Sequence, residues 1–201
     1  MGKIDDNKLS KRSALLRTAF DLFAEKGFAK TTISDIVEQA GLAKGTFYLY
    51  FKDKYDLRDK LIAYKANRLF EETFQEMKQI ELNSFEEEIR FIADYIIERF
   101  QKQHDLLQFV AKNLSWGVFK TAFYNTDYPA THEFYEHYLN ALDRYHIHCN
   151  APELMLFTMI ELIGTTSYNC ILLEQPVGMN EYLPYLHKTL EHIFLVFTEE
   201  M

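Results

Sequence analysis

Lys44, Thr46, Tyr48, Tyr50 and Lys54 lie within a few turns of chain and are suited to holding a phosphate backbone rather than to breaking bonds. Lysine neutralises phosphate, and threonine and tyrosine hydroxyls donate to its oxygens. Threonine also offers a methyl to thymine in the major groove. Gly45 sits among them. A glycine costs a helix roughly 0.5–1 kcal/mol relative to alanine, which suits a helix whose backbone must come close to a partner. Thr32 and Ser34 stand just upstream as further hydroxyl donors. The expected chemistry is a grip on double-stranded DNA.

A second constellation is aromatic. Tyr95, Phe109, Asn113, Trp116, Phe119, Phe123, Tyr138, Glu161, Tyr168 and Asn169 could line a pocket for a small hydrophobic or aromatic ligand, with aromatic walls and a few converging polar groups. The competing reading is ordinary core. Glu161 stands out because a carboxylate within an apolar run needs a partner.

Catalytic and metal signals are poor. His132-Glu133-Phe134-Tyr135-Glu136-His137 misses the zinc-protease spacing, since its second histidine falls at i+5 and leaves the shared helical face. His146, His148 and Cys149 match no common zinc spacing. No nucleophile elbow, P-loop or dinucleotide fingerprint occurs. Neither metal, cofactor nor catalysis is expected. An enzyme using the aromatic pocket, with His132, Glu133 or Glu161 as acid/base groups, is an alternative.

The elements that must position these residues read as helices throughout. Residues 8–27 form an amphipathic helix with Leu15, Ala19, Leu22 and Phe23 on one stripe and Gly27 as its stop. Thr31 or Thr32 caps a short helix carrying Ile33, Ile36 and Val37. Gly41 ends it with positive φ, and Leu42 packs back. The helix beginning at Lys44 turns Phe47 and Phe51 inward, leaving Lys44, Thr46, Tyr48 and Tyr50 outward. Asp53 caps a long helix over 55–82. Further helices are predicted over 84–103, with a Ser84/Glu87 capping box, and over 105–114, 130–146, 153–174 and 180–198. The pattern is irregular at 115–117 and 125–129. The fold class is all-α: a three-helix helix-turn-helix head over 1–54 and a helical ligand-binding and dimerisation body over 55–201.

The run from Leu15 to Leu57 resembles the DNA-binding head of the tetracycline-repressor (TetR) family of transcriptional regulators. The shared pattern is Leu16, Ala19, Leu22-Phe23, Gly27, Thr31-Thr32, Ile36-Val37, Ala40-Gly41-Leu42, Gly45-Thr46-Phe47-Tyr48, Tyr50-Phe51, Lys54 and Leu57. Two positions depart from it. Ala43 stands where a capping serine or threonine is common, and Leu49 where another polar or aromatic residue is common. The resemblance implies a homodimer that pairs helices 153–174 and 180–198 with a second copy and reads a palindromic operator. It implies a repressor released when a small molecule binds the body. An adaptor that takes a protein partner in place of a small ligand is a further alternative.

Charge agrees with this division. Residues 1–54 hold ten Lys/Arg and seven Asp/Glu, a net +3, and residues 55–201 hold twelve and twenty-three, a net −11. The N-terminus has no apolar signal core. The apolar run 154–163 is too short to span a bilayer. With two cysteines, Cys149 and Cys170, the expectation is a cytoplasmic protein with free thiols and no membrane contact.

Overall fold

The computed structural model describes residues 3–113, 116–125 and 127–198. Among these the secondary structure is entirely helical. The chain divides into two compact units, residues 1–64 and 65–201.

The first unit holds α1 (Lys3–Lys26), α2 (Ile33–Gln39), α3 (Lys44–Tyr48) and the start of α4 (Lys54–Met77). Its core is Leu15, Leu16, Ala19, Leu22, Ile36, Val37, Phe47, Phe51, Leu57 and Leu61, all buried. Gly27 (φ 82) ends α1 and Gly41 (φ 66) ends α2, both in the left-handed region that favours glycine. Thr32 is the cap of α2: its hydroxyl accepts from the Asp35 backbone at 3.1 Å, and the Asp35 carboxylate accepts from the Thr32 backbone at 2.8 Å. Thr31 has a different task. It is buried, and its hydroxyl donates to the Gly27 carbonyl at 2.9 Å.

The second unit continues with the rest of α4, then α5 (Phe85–Lys102), α6 (His104–Asn113), α7 (Trp116–Phe123), α8 (Pro129–Arg144), α9 (Pro152–Ser167) and α10 (Met179–Thr198). Its core joins Phe70 and Phe74 of α4 to Ile92 and Ile97 of α5, Phe134 and Tyr138 of α8, Met155 and Met159 of α9, and Leu186 and Leu190 of α10. Three sequence expectations change here. The helix over 55–82 stops at Met77, where the Gln79 and Ile80 amides turn back to the Glu76 and Met77 carbonyls. A helix, α7, occupies 116–123, where the pattern read as irregular from 115 to 117. The expected 153–174 helix loosens into a π-helical turn, Tyr168–Leu173, ended by Glu174 at φ 52.

Polar groups bind this body together at named points. The N-terminus of α8 has no side-chain cap of its own at Tyr128. Asn67 of α4 supplies one from across the unit, its Oδ1 accepting from Ala130 N at 2.8 Å and Thr131 N at 3.1 Å. Glu88 of α5 is buried. Its carboxylate accepts from Arg144 at 2.6 Å and Tyr145 at 2.8 Å, and pairs with His137 Nε2 at 2.8 Å. Burial pushes the Glu88 carboxyl up. The bonds from His137 and Tyr145 and the nearby His137 and Arg144 charges outweigh that and hold it below the usual range.

The apolar run at 154–163, too short by itself to span a bilayer, lies within a longer helical stretch. Pro152–Leu173 has the length and hydropathy of a membrane span, with 22% of that window buried. Such a helix also suits a soluble assembly: α9 packs on α10, α6 and α5, while Leu154 and Leu173, with Tyr185, Leu195 and Val196 of α10, stay exposed.

Candidate nucleic-acid interface

In the first unit, α2, a tight turn and α3 form the helix-turn-helix. Leu42 N closes the turn on Val37 O at 2.8 Å. Phe47 and Phe51 anchor α3 from below, fully buried, their rings 5.5 Å apart. Ala43 supplies no side-chain cap, and its carbonyl takes the Thr46 amide at 2.8 Å. Five residues of α3 are nonetheless helical.

The expected DNA residues are placed as follows. Lys44, Gly45 and Tyr48 are exposed, Tyr48 by 53%, with its ring edge-on to Phe47. Among the described residues nothing pairs with the Lys44 ammonium. Thr46 and Tyr50 are half-buried. Thr32 and Ser34 are exposed. The Thr32 oxygen accepts within the capping box, which leaves its proton able to donate outward.

Lys54 needs correction. Its ammonium donates to the carbonyls of Phe28 at 2.8 Å, Thr31 at 2.8 Å and Ala29 at 3.4 Å, and sits 4.4 Å from the centre of the Phe28 ring. An ammonium has three protons, so the group expected on phosphate is taken up within the head. It ties the α1–α2 loop to the start of α4. Phe28 completes the tie, edge-on to Phe23 and Tyr55, each at 5.2 Å. Lys30 and Lys52, both exposed, are cations that the sequence reading passed over because neither stands on a helical stripe.

The aromatic constellation is placed mostly in packed core. Phe109, Phe123 and Tyr138 are buried. Phe123 stacks on Tyr135 at 4.7 Å, and Trp116 meets Phe123 and Phe157 edge-on at 5.9 and 5.2 Å. The Tyr138 hydroxyl donates to Pro152 O at 2.8 Å, and burial pushes its phenol up. Tyr95, Tyr168 and Asn169 are half-buried, Asn169 donating back to Thr165 O at 2.9 Å. Asn113 and Phe119 belong to helices, but their side chains lie outside the described residues. Glu161 is exposed. Its apolar neighbours do not enclose it, so water takes the role expected of a buried partner. One cleft of the body, about 300 Å³ including open solvent, lies between α5, α9 and α10 and is lined by Phe85, Ile89, Met159, Leu190 and Phe194 with a charged rim. It uses none of the expected pocket residues.

His132 and His137 face different partners, the Phe123 carbonyl at 2.6 Å and Glu88. Among the described residues no three His, Cys, Asp or Glu side chains are grouped to hold a metal. Cys149 and Cys170 are free thiols.

The sequence profile for bacterial regulatory proteins of the tetR family matches residues 15–61, which include all of α2 and α3. This chain carries a TetR-family head. It is 43% identical over 68 residues to the HTH-type transcriptional regulator YvdT of Bacillus subtilis, covering 34% of this chain and 33% of that protein. It is 35% identical over 72 residues to the fatty acid metabolism regulator protein of Bacillus subtilis, covering 36% and 37%. The chain thus spans about a third of these relatives' length, so the likeness leaves most of the body unmatched. Solved structures extend the likeness in fold. A TetR-family regulator from Syntrophomonas wolfei aligns with a TM-score of 0.68 at 20% identity, over 92% of this chain and 95% of that one. FadR of Bacillus subtilis in complex with stearoyl-CoA aligns with a TM-score of 0.62 at 22% identity, over 89% and 96%. The all-α TetR architecture, head and body, is the fold of this chain.

Proposed function

We propose that this chain, with its TetR-family head, is a homodimeric, DNA-binding repressor of transcription that a ligand bearing a long apolar chain releases from a palindromic operator. The observation that carries the reading is α3. A short helix pinned by buried Phe47 and Phe51 holds Lys44, Gly45 and Tyr48 outward, where a phosphate backbone and major-groove base edges would meet them. Thr32, Ser34, Thr46 and Tyr50 add hydroxyls around that helix. Two copies would read two half-sites about one helical turn apart.

Dimerisation through α9 and α10 is supported by the exposed apolar side chains Leu154, Leu195 and Val196. Repression in the cytoplasm would follow from operator occupancy. The ligand class is drawn from the relatives, one a regulator of fatty acid metabolism and one a structure holding stearoyl-CoA. Within the body, the buried hydroxyls of Thr131 and Ser167 have no hydrogen-bond partner among the described residues, which gives an incoming polar group something to bond. A ligand shifts the equilibrium only by binding the released state better than the DNA-bound one. Asn67 and Phe70 of α4 contact α8 directly, Phe70 stacking on Phe134 at 4.0 Å. A change in the body would pass to α4 through those contacts.

Gel retardation with DNA upstream of the chain's own gene tests this. A band that survives random competitor DNA and disappears with micromolar long-chain acyl-CoA, but not with free coenzyme A, is expected. A band abolished by random competitor would overturn the operator reading, and one indifferent to every acyl chain length would overturn the ligand class.

A further inference from the structure

Leu49 is 78% exposed, more than any other large apolar side chain among the described residues. It closes α3 in a right-handed helical conformation, φ −72 and ψ −23. A side chain in that conformation covers the turn N-terminal to its own Cα. Gly45, four residues back, occupies that turn. A Cβ added to Gly45 would meet nothing within 4 Å, so nothing within the head calls for glycine there. Gly45, with no side chain, and the exposed isobutyl group of Leu49 therefore stand one turn apart on the same side of α3. The exposed Lys44 and Tyr48 adjoin them in sequence.

A lone exposed leucine is ordinary on a protein surface. Here it stands on the helix assigned to the groove, and the groove offers few partners for it. Base edges in the major groove present hydrogen-bonding atoms, apart from the 5-methyl of thymine. Set against a polar edge, leucine would strip water from a donor or acceptor and return nothing. We infer that Leu49 is a specificity residue that packs on the 5-methyl of one thymine in each half-site, with Gly45 leaving room for the base edge. The inference rests on the reading of the head as DNA-binding and names what that head discriminates.

The test is selection of a site from random duplex DNA by the purified full chain, followed by replacement of each thymine by deoxyuridine, which removes only the methyl. Burying one methyl group is worth about fourfold in affinity. For the unaltered chain, one thymine in each half-site should show that loss, rising to about fifteenfold when both half-sites are changed. Leu49→Ala, a surface change that leaves Phe47 and Phe51 in place, should bind the site more weakly and be indifferent to the same replacement. An enriched site whose thymines are all replaceable, or whose methyl losses are equal in the unaltered chain and Leu49→Ala, overturns the inference and leaves DNA binding standing. Failure to enrich any site removes the DNA reading itself.

Discussion

Replacing Lys54 by methionine separates a structural cation from a DNA-binding one. In the head, the Lys54 ammonium makes two short bonds, to Phe28 O and Thr31 O, a longer one to Ala29 O, and a cation–π contact with Phe28. Bonds to a charged donor contribute about 1.5 kcal/mol each at the low end, which suits a half-buried group. The cation–π contact adds about 0.5 kcal/mol. Holding a lysine in one rotamer costs about 1.5 kcal/mol. The balance is about 2 kcal/mol lost in Lys54→Met, whose side chain keeps much of the apolar stem. Hydrogen exchange read peptide by peptide should show protection of the α1–α2 segment falling roughly thirtyfold, with exchange in α8–α10 unchanged. The salt dependence of DNA binding should keep its slope, because no phosphate contact is removed. Unchanged protection together with a slope flattened by one charge per protomer would refute the reasoning and return Lys54 to the phosphate.

Lys44→Ala should do the opposite: protection is kept, affinity falls for all DNA sequences alike, and the slope of log K against log salt drops by about 1 per protomer, as a filter-binding salt titration would show. Asn67→Ala removes the borrowed cap of α8 and should cost about 1 kcal/mol in urea unfolding of the body. Glu88→Ala leaves Arg144, His137 and Tyr145 without their shared acceptor and should cost about 2–3 kcal/mol. Because the folded Glu88 carboxyl lies below its unfolded value, its contribution is present in full above the usual carboxylate pKa and is lost as pH falls through the depressed one. Stability of the unaltered chain should therefore drop more steeply than that of Glu88→Gln as pH falls below about 4.3. Val196→Glu, on the exposed face of α10, should convert a dimer to a monomer in sedimentation velocity.

Local signals were legible in the sequence and distant ones were not. Gly27, Gly41 and Thr32 declare helix ends through their own backbone chemistry, and the stripe from Leu15 to Phe23 declares the inner face of α1. Lys54 finds its carbonyls 23 to 26 residues away, so its spacing within the helix-turn-helix pattern pointed outward while the loop drew it inward. Glu88 hid in a run of three glutamates, and only the return of α8 shows which of them is buried. Glu161 misled for the converse reason: apolar neighbours in sequence suggest burial, yet Ile160, Leu162 and Ile163 pack against the core while Glu161 itself is exposed. Trp116–Phe123 was hidden by Gly117, which read as a break although it lies in the first turn of the helix.

Operator recognition by this chain requires two copies of α3 to enter the major groove, one in each half-site. Hydroxyl-radical footprinting of the full chain on its selected site tests that directly. Two protected patches on one face of the duplex, centred about 10 base pairs apart and both lost in Tyr48→Ala, are the expected result. A footprint that persists unchanged in both Tyr48→Ala and Lys44→Ala, or a single patch without symmetry, would contradict it.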